Sequence, residues 1–165
     1  MDEIQIKHER TVGDAFVAWL NKDQQKQFVY DSRPQEAPDL RYVDDQEILS
    51  IEIADAYYDG NDAAMKWQAA RKKDDAAHSW SGVNFDAALT TDISKRIAEK
   101  CSKNYGANCA LVVNVYPSLT TIQDMEQMIL NIGVPKQSPF VGIYLTGHFP
   151  SSSSSVGGFG CWRLA

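Results

Sequence analysis

Two acidic residues, Asp39 and Glu52, stand thirteen positions apart in settings where a carboxylate needs a reason to be present. Glu52 lies in the run Ile48-Leu49-Ser50-Ile51-Glu52-Ile53-Ala54. Its alternation puts Leu49, Ile51 and Ile53 on one strand face and Ser50, Glu52 and Ala54 on the other. A carboxylate among apolar neighbours is costly unless it is paired or coordinated, so a strand that carries one marks either a site or a solvent-facing or ion-paired side. Asp39, after Pro38, immediately precedes the short strand Leu40–Val43. The turn Asp44-Asp45-Gln46 folds the two strands into a hairpin that brings Asp39 toward Glu52. Two carboxylates held close repel one another and attract a divalent cation. Oxygen ligands of this kind suit Mg²⁺, which binds through one or two carboxylates and keeps several waters. Such an ion polarises a phosphodiester and activates water.

The elements around this pair follow from periodicity. Phe16, Trp19 and Leu20 recur at helical spacing, and Thr11 with Asp14 forms a cap, so a first helix is expected over Thr11–Phe28. Asp31 to Pro38 reads as a loop. Strands are expected at Leu40–Val43 and Ile48–Tyr58, and a helix at Ala63–Lys73. Residues 74–90 carry no clear pattern. From Asp92 a helix with the stripe Ile93, Ile97, Cys101 and Tyr105 runs to about Asn104, closed by Gly106. Ala110–Tyr116 is a nearly continuous apolar run, the mark of a strand buried on both faces. A helix capped by Thr121 follows, stopped by Gly133 and Pro135. Strands are expected at Phe140–Leu145 and Phe159–Leu164, on either side of a serine-rich loop. This order describes one α/β domain over residues 1–165, a mixed β-sheet flanked by helices.

Composition sets the outer limits. The chain has 165 residues, 44% of them hydrophobic and 23% charged, which is ordinary for one globular domain. No apolar run reaches the ~20 residues of a membrane span, and the N-terminus lacks a signal peptide's pattern. A cytoplasmic protein with no membrane association is expected. Cys101, Cys109 and Cys161 form no CxxC pair, and His8, His78 and His148 form no HxxxH or HxH pair. Serine-hydrolase, P-loop and dinucleotide-binding motifs are absent. The net charge is −6, with 6 basic and 14 acidic side chains in residues 1–60 but 8 basic and 6 acidic in residues 61–103. An acidic half of this kind is a solvated surface, a cation-binding region or a patch that meets a basic partner. Tyr57, Tyr58, Trp67, Arg71, Lys72 and Lys73 combine aromatic and basic groups that stack bases and hold phosphates. Helical spacing to Ala63 and Ala70, however, makes Trp67 a core residue rather than a stacking platform.

Pro38-Asp39 followed by Glu52-Ile53-Ala54 on the next strand resembles the PD-(D/E)xK nuclease signature. The order of helix, hairpin, helix and strand over roughly residues 9 to 116 resembles that restriction-endonuclease-like fold, with a C-terminal helix-strand-strand extension. The resemblance implies a Mg²⁺-dependent nuclease with Asp39 and Glu52 as metal ligands, and Glu9, before the first helix, as a further ligand. It also implies a lysine two residues after the acid, where this chain has Ala54. Some members carry that lysine on a neighbouring helix. Lys95 is the catalytic lysine expected here, with Lys100 on the same helix and Lys66 as alternatives. Arg41, on the strand face of Asp39, is expected to neutralise it. The other readings are a non-catalytic domain of the same fold that binds nucleic acid or protein, and an unrelated acidic α/β interaction protein.

Overall fold

A computed structural model describes residues 2–57, 85–116, 122–151 and 154–165. The expected helix at Ala63–Lys73 and residues Tyr58, Lys66, Trp67 and His78 fall outside them, as does Thr121. The described elements are α1 (Glu3–Gln24), β1 (Val29–Ser32), β2 (Leu40–Asp44), β3 (Glu47–Ala56), α2 (Phe85–Cys101), β4 (Cys109–Val115), α3 (Ile122–Leu130), β5 (Gly142–Ser151) and β6 (Ser154–Arg163).

The six strands form one open, mixed sheet in sequence order. β1, β2 and β3 make an antiparallel meander, β3, β4 and β5 run parallel, and β6 returns antiparallel to β5. The parallel connections β3 to β4 and β4 to β5 step the same way across the sheet. Crossovers that share a hand then carry their helices on one face, and α2 and α3 do pack together there. Leu89, Ile93, Ile97, Met125 and Met128 bury against Ala54, Leu111, Val113, Ile143 and Leu145. α1 covers the other face, where Val12, Phe16, Val17 and Leu20 meet Leu40, Tyr42, Ile51, Ile53 and Val112. All seven residues of β4 are buried, which is why its sequence is apolar without alternation. No described helix is long and apolar enough to cross a membrane.

Gly13 sets the distance of α1 from the sheet. A Cβ there would run into Leu40 Cδ1 and lie 2.8 Å from Tyr42 Oη. A glycine inside a helix is unfavourable by roughly 1 kcal/mol against alanine, so its presence marks this close approach.

Several expected boundaries move. α1 begins at Glu3, capped by Asp2, whose side chain accepts from Ile4 N at 3.1 Å. Thr11 and Asp14 are not its cap. Thr11 Oγ1 donates to Lys7 O inside the helix, and Asp14 accepts from Arg10 and from Tyr42 Oη. α1 ends at Gln25, which is left-handed with φ 54°. Its first two turns carry no apolar stripe because they face polar groups. Val29–Ser32, which spans the gap after the expected helix end at Phe28 and the start of the expected loop at Asp31, is the strand β1. α2 starts seven residues before Asp92, and Asp92 accepts from Tyr57 N at 2.8 Å rather than capping the helix. β5 and β6 pair as expected but extend to Ser151 and from Ser154, into the serine-rich run.

Candidate active site

The hairpin register places the two acids. Leu40 faces Ile51 across β2 and β3, so the next position outward sets Asp39 opposite Glu52. β2 begins only at Leu40, and before it the Asp39 side chain stands in for the ladder: its Oδ2 accepts from Ile53 N at 2.9 Å. Glu52 projects to the α2 side of the sheet, and its side chain is 5% exposed.

α2 supplies the counter-charge. Lys100 continues the face made by Ile93 and Ile97, one turn further on, and its Nζ lies 2.5 Å from Glu52 Oε1. The other carboxylate oxygen, Oε2, is buried and has no hydrogen-bond partner among the described residues. Lys95 is not brought to the site. Its ammonium is on the outer face of α2, 65% exposed and 3.9 Å from Glu99. Ala54 packs into the apolar core beneath α2.

A third carboxylate approaches from the opposite face, past the end of β2. Glu9 does not precede the first helix; it sits in the second turn of α1 and is buried. Its Oε1 accepts from Gln5 Nε2 at 3.0 Å. Its Oε2 lies 2.6 Å from Nη2 of Arg33, which comes from the β1–β2 connection. The same Nη2 is 3.8 Å from Asp39 Oδ1. Among the described residues Arg33, rather than Arg41, is therefore the cation within ion-pair distance of Asp39. Arg41 shares the Asp39 face, but its Nε is buried without a partner among the described residues.

The electrostatics follow from this crowding. Burial, and then the charge of Glu52 and more weakly of Glu9, push the Asp39 carboxyl from 3.8 up to about 6, against the opposing pull of the Ile53 N–H and Lys100. Tyr105, just beyond α2, stands by the same charges. Burial, Glu52 and Asp39 raise its hydroxyl to about 12, and its Oη is buried without a partner among the described residues. Burial and Glu52 likewise push the Cys109 thiol up to about 12. Sequence reasoning missed Arg33 and saw Tyr105 only as part of an apolar stripe. The surviving signal for Tyr105 was a phenol at the end of that stripe.

A second polar group lies at the carboxyl ends of β3 and β4. His8 Nε2 is 2.9 and 3.0 Å from the two Asp55 oxygens, and Asn114 Nδ2 donates to Asp55 Oδ1 at 3.0 Å. His8 adjoins Glu9 in α1, so this contact helps fix the turn that presents Glu9.

Among the described residues no three His, Cys, Asp or Glu side chains converge as a metal-binding group. Asp39 and Glu52 form a pair of hard oxygen donors, and the unpartnered, buried Glu52 Oε2 is an acceptor that a cation would satisfy. Pairs of this kind suit Mg²⁺, whose remaining positions go to water and substrate phosphate. No protein family, curated protein or solved structure matches the chain.

Proposed function

We propose that the protein is a Mg²⁺-dependent nuclease of the PD-(D/E)xK type, with Asp39 and Glu52 as metal ligands and Lys100 in the role of the signature lysine. The observation that carries this reading is Lys100 Nζ at 2.5 Å from Glu52 Oε1, from a different element than the motif lysine would occupy. With Ala54 two residues after Glu52, an ammonium from α2 restores the missing charge. The order α1-β1-β2-β3-α2-β4 also resembles the core of that fold, leaving α3, β5 and β6 as the extension.

Each side chain has a defined task in this reading. Asp39 and Glu52 hold the cation, which when bound supplies Lewis-acid polarisation of the phosphodiester and a more acidic water. Lys100 directs its ammonium N–H groups at the attacking water and at the negative charge that grows on the phosphate. In the metal-free site Asp39 takes up a proton below about pH 6, so the cation competes with that proton and its binding weakens as pH falls through that range.

A non-catalytic domain of the same fold is the second reading. It is favoured by the closed ion pairs Glu52–Lys100 and Glu9–Arg33 and by the lack of a three-ligand group among the described residues. Cleavage of labelled DNA and RNA with Mg²⁺ or Mn²⁺ separates the two. The nuclease reading predicts cleavage by wild type that is lost in Glu52→Gln and Lys100→Met and retained in Lys95→Met. Absence of cation-dependent cleavage in every substrate form favours the second.

A further inference from the structure

Arg33 holds a position that neither the two metal ligands nor Lys100 accounts for. One nitrogen, Nη2, is 2.6 Å from Glu9 Oε2 and 3.8 Å from Asp39 Oδ1. It thus lies between two carboxylates on different elements, where a cation bridging them would also lie. Its side chain is 19% exposed, so it reaches solvent from a largely buried position. Counted as charged groups among the described residues, Glu9, Asp39 and Glu52 face two cations, Arg33 and Lys100, which leaves one negative charge. A divalent ion turns that into one positive charge, and one phosphodiester brings the cluster to neutrality. Without Arg33 the ion alone would neutralise the cluster, and the phosphate would arrive as an uncompensated anion in a largely buried site.

We infer that Arg33 is a site residue that changes partner: Glu9 and Asp39 hold its guanidinium until a divalent ion enters, and the displaced guanidinium then binds the substrate phosphate. This rests on the nuclease reading of the Asp39–Glu52 pair. Arginine suits the second role because its planar fork matches phosphate oxygens in a bidentate way. The β1–β2 connection carries the side chain, so the exchange needs no movement of the sheet. Arg41 has the same charge and lies on the Asp39 side of β2, but it is not within ion-pair distance of either carboxylate, so it serves as the control for charge alone.

The test compares wild type, Arg33→Gln and Arg41→Gln. Mn²⁺ affinity is measured by calorimetry, and affinity for a short labelled oligonucleotide by anisotropy in Ca²⁺. Removing the competing internal cation raises Mn²⁺ affinity about tenfold or more in Arg33→Gln, with a smaller change in Arg41→Gln. In the same variant the cation-dependent gain in oligonucleotide affinity falls by about tenfold. Wild type supplies a measurement that does not depend on folding of a variant: phenylglyoxal modification of Arg33, read by mass spectrometry, accelerates when Mn²⁺ is added. The inference is overturned if wild type binds Mn²⁺ but Arg33→Gln binds it no tighter than Arg41→Gln does. It is also overturned if oligonucleotide affinity is unchanged or if Arg33 reactivity ignores the ion. Those results leave the nuclease reading standing. Absence of Mn²⁺ binding in wild type overturns that reading and the inference with it.

Discussion

Replacing Asp39 by asparagine is expected to make the protein more stable at neutral and alkaline pH. The folded state raises the Asp39 carboxyl from 3.8 to about 6. A shift of roughly two units corresponds to about 3 kcal/mol. The sign follows from proton binding. A carboxyl with a raised folded pKa adds stability that is fully present below 3.8 and lost as pH rises through about 6. At pH 8 the wild type therefore carries this term as strain from desolvation and from the facing carboxylates. The amide of Asp39→Asn keeps a carbonyl oxygen to accept from Ile53 N–H and removes the charge. Loss of the 3.8 Å contact with Arg33 offsets part of the gain, by up to about 1 kcal/mol. A net stabilisation of about 2 kcal/mol is expected, or about 4–8 °C in Tm for a chain of this size. Urea unfolding of both forms at pH 8 and pH 4 measures it. The gain should be present at pH 8 and absent at pH 4. A variant less stable than wild type at pH 8, or equally stabilised at both pH values, would refute the electrostatic account of the site.

Three other outcomes follow from the same geometry. Lys100→Met leaves the buried Glu52 carboxylate without its cation and should lower stability at pH 7.5 by about 3–5 kcal/mol, whereas Lys95→Met, at a 65% exposed position, should stay within about 0.5 kcal/mol by denaturant titration. Gly13→Ala should cost about 1–3 kcal/mol, because its Cβ meets Leu40 and Tyr42. Thermal melts read the loss, and Leu40, whose Cδ1 lies nearest the added Cβ, should be the side chain that moves. Burial acts to lower the His8 pKa, but its hydrogen bond to Asp55 and that group's charge raise it overall. The stability supplied by this pair is complete below 6.5 and lost as pH rises through the raised value. Asp55→Asn should abolish that pH dependence in unfolding titrations.

The acidic pair was legible in the sequence because strands report their faces directly. A period of two and one tight turn determine that Asp39 and Glu52 meet. The lysine was not legible in that way. Lys95 and Lys100 are five residues apart on α2, a rotation of roughly 140° at 3.6 residues per turn, so only the packing of Ile93 and Ile97 decides which one points inward. Glu9 was placed before α1 because Thr11 and Asp14 imitate a cap. Those side chains instead bond within the helix and to Tyr42, and the polar first turns, which lack a stripe to announce a helix, contain the residues that face the site. Arg33 left no periodic signal. It lies on the β1–β2 connection, and its partners are Glu9 on α1 and Asp39 at the far end of that same connection. The serine-rich run misled for the opposite reason, since β5 and β6 pair through backbone groups and need no particular side chains there.

The central claim is that Asp39 and Glu52 form a cation site. It is tested most directly by calorimetric titration of Mn²⁺ and Mg²⁺ into wild type and Glu52→Gln at pH 7.5, with folding of both verified by circular dichroism. A stoichiometric site in wild type that weakens by at least about tenfold in Glu52→Gln is the predicted result. A wild type that binds neither ion, or a Glu52→Gln titration that overlays the wild-type curve, would contradict it.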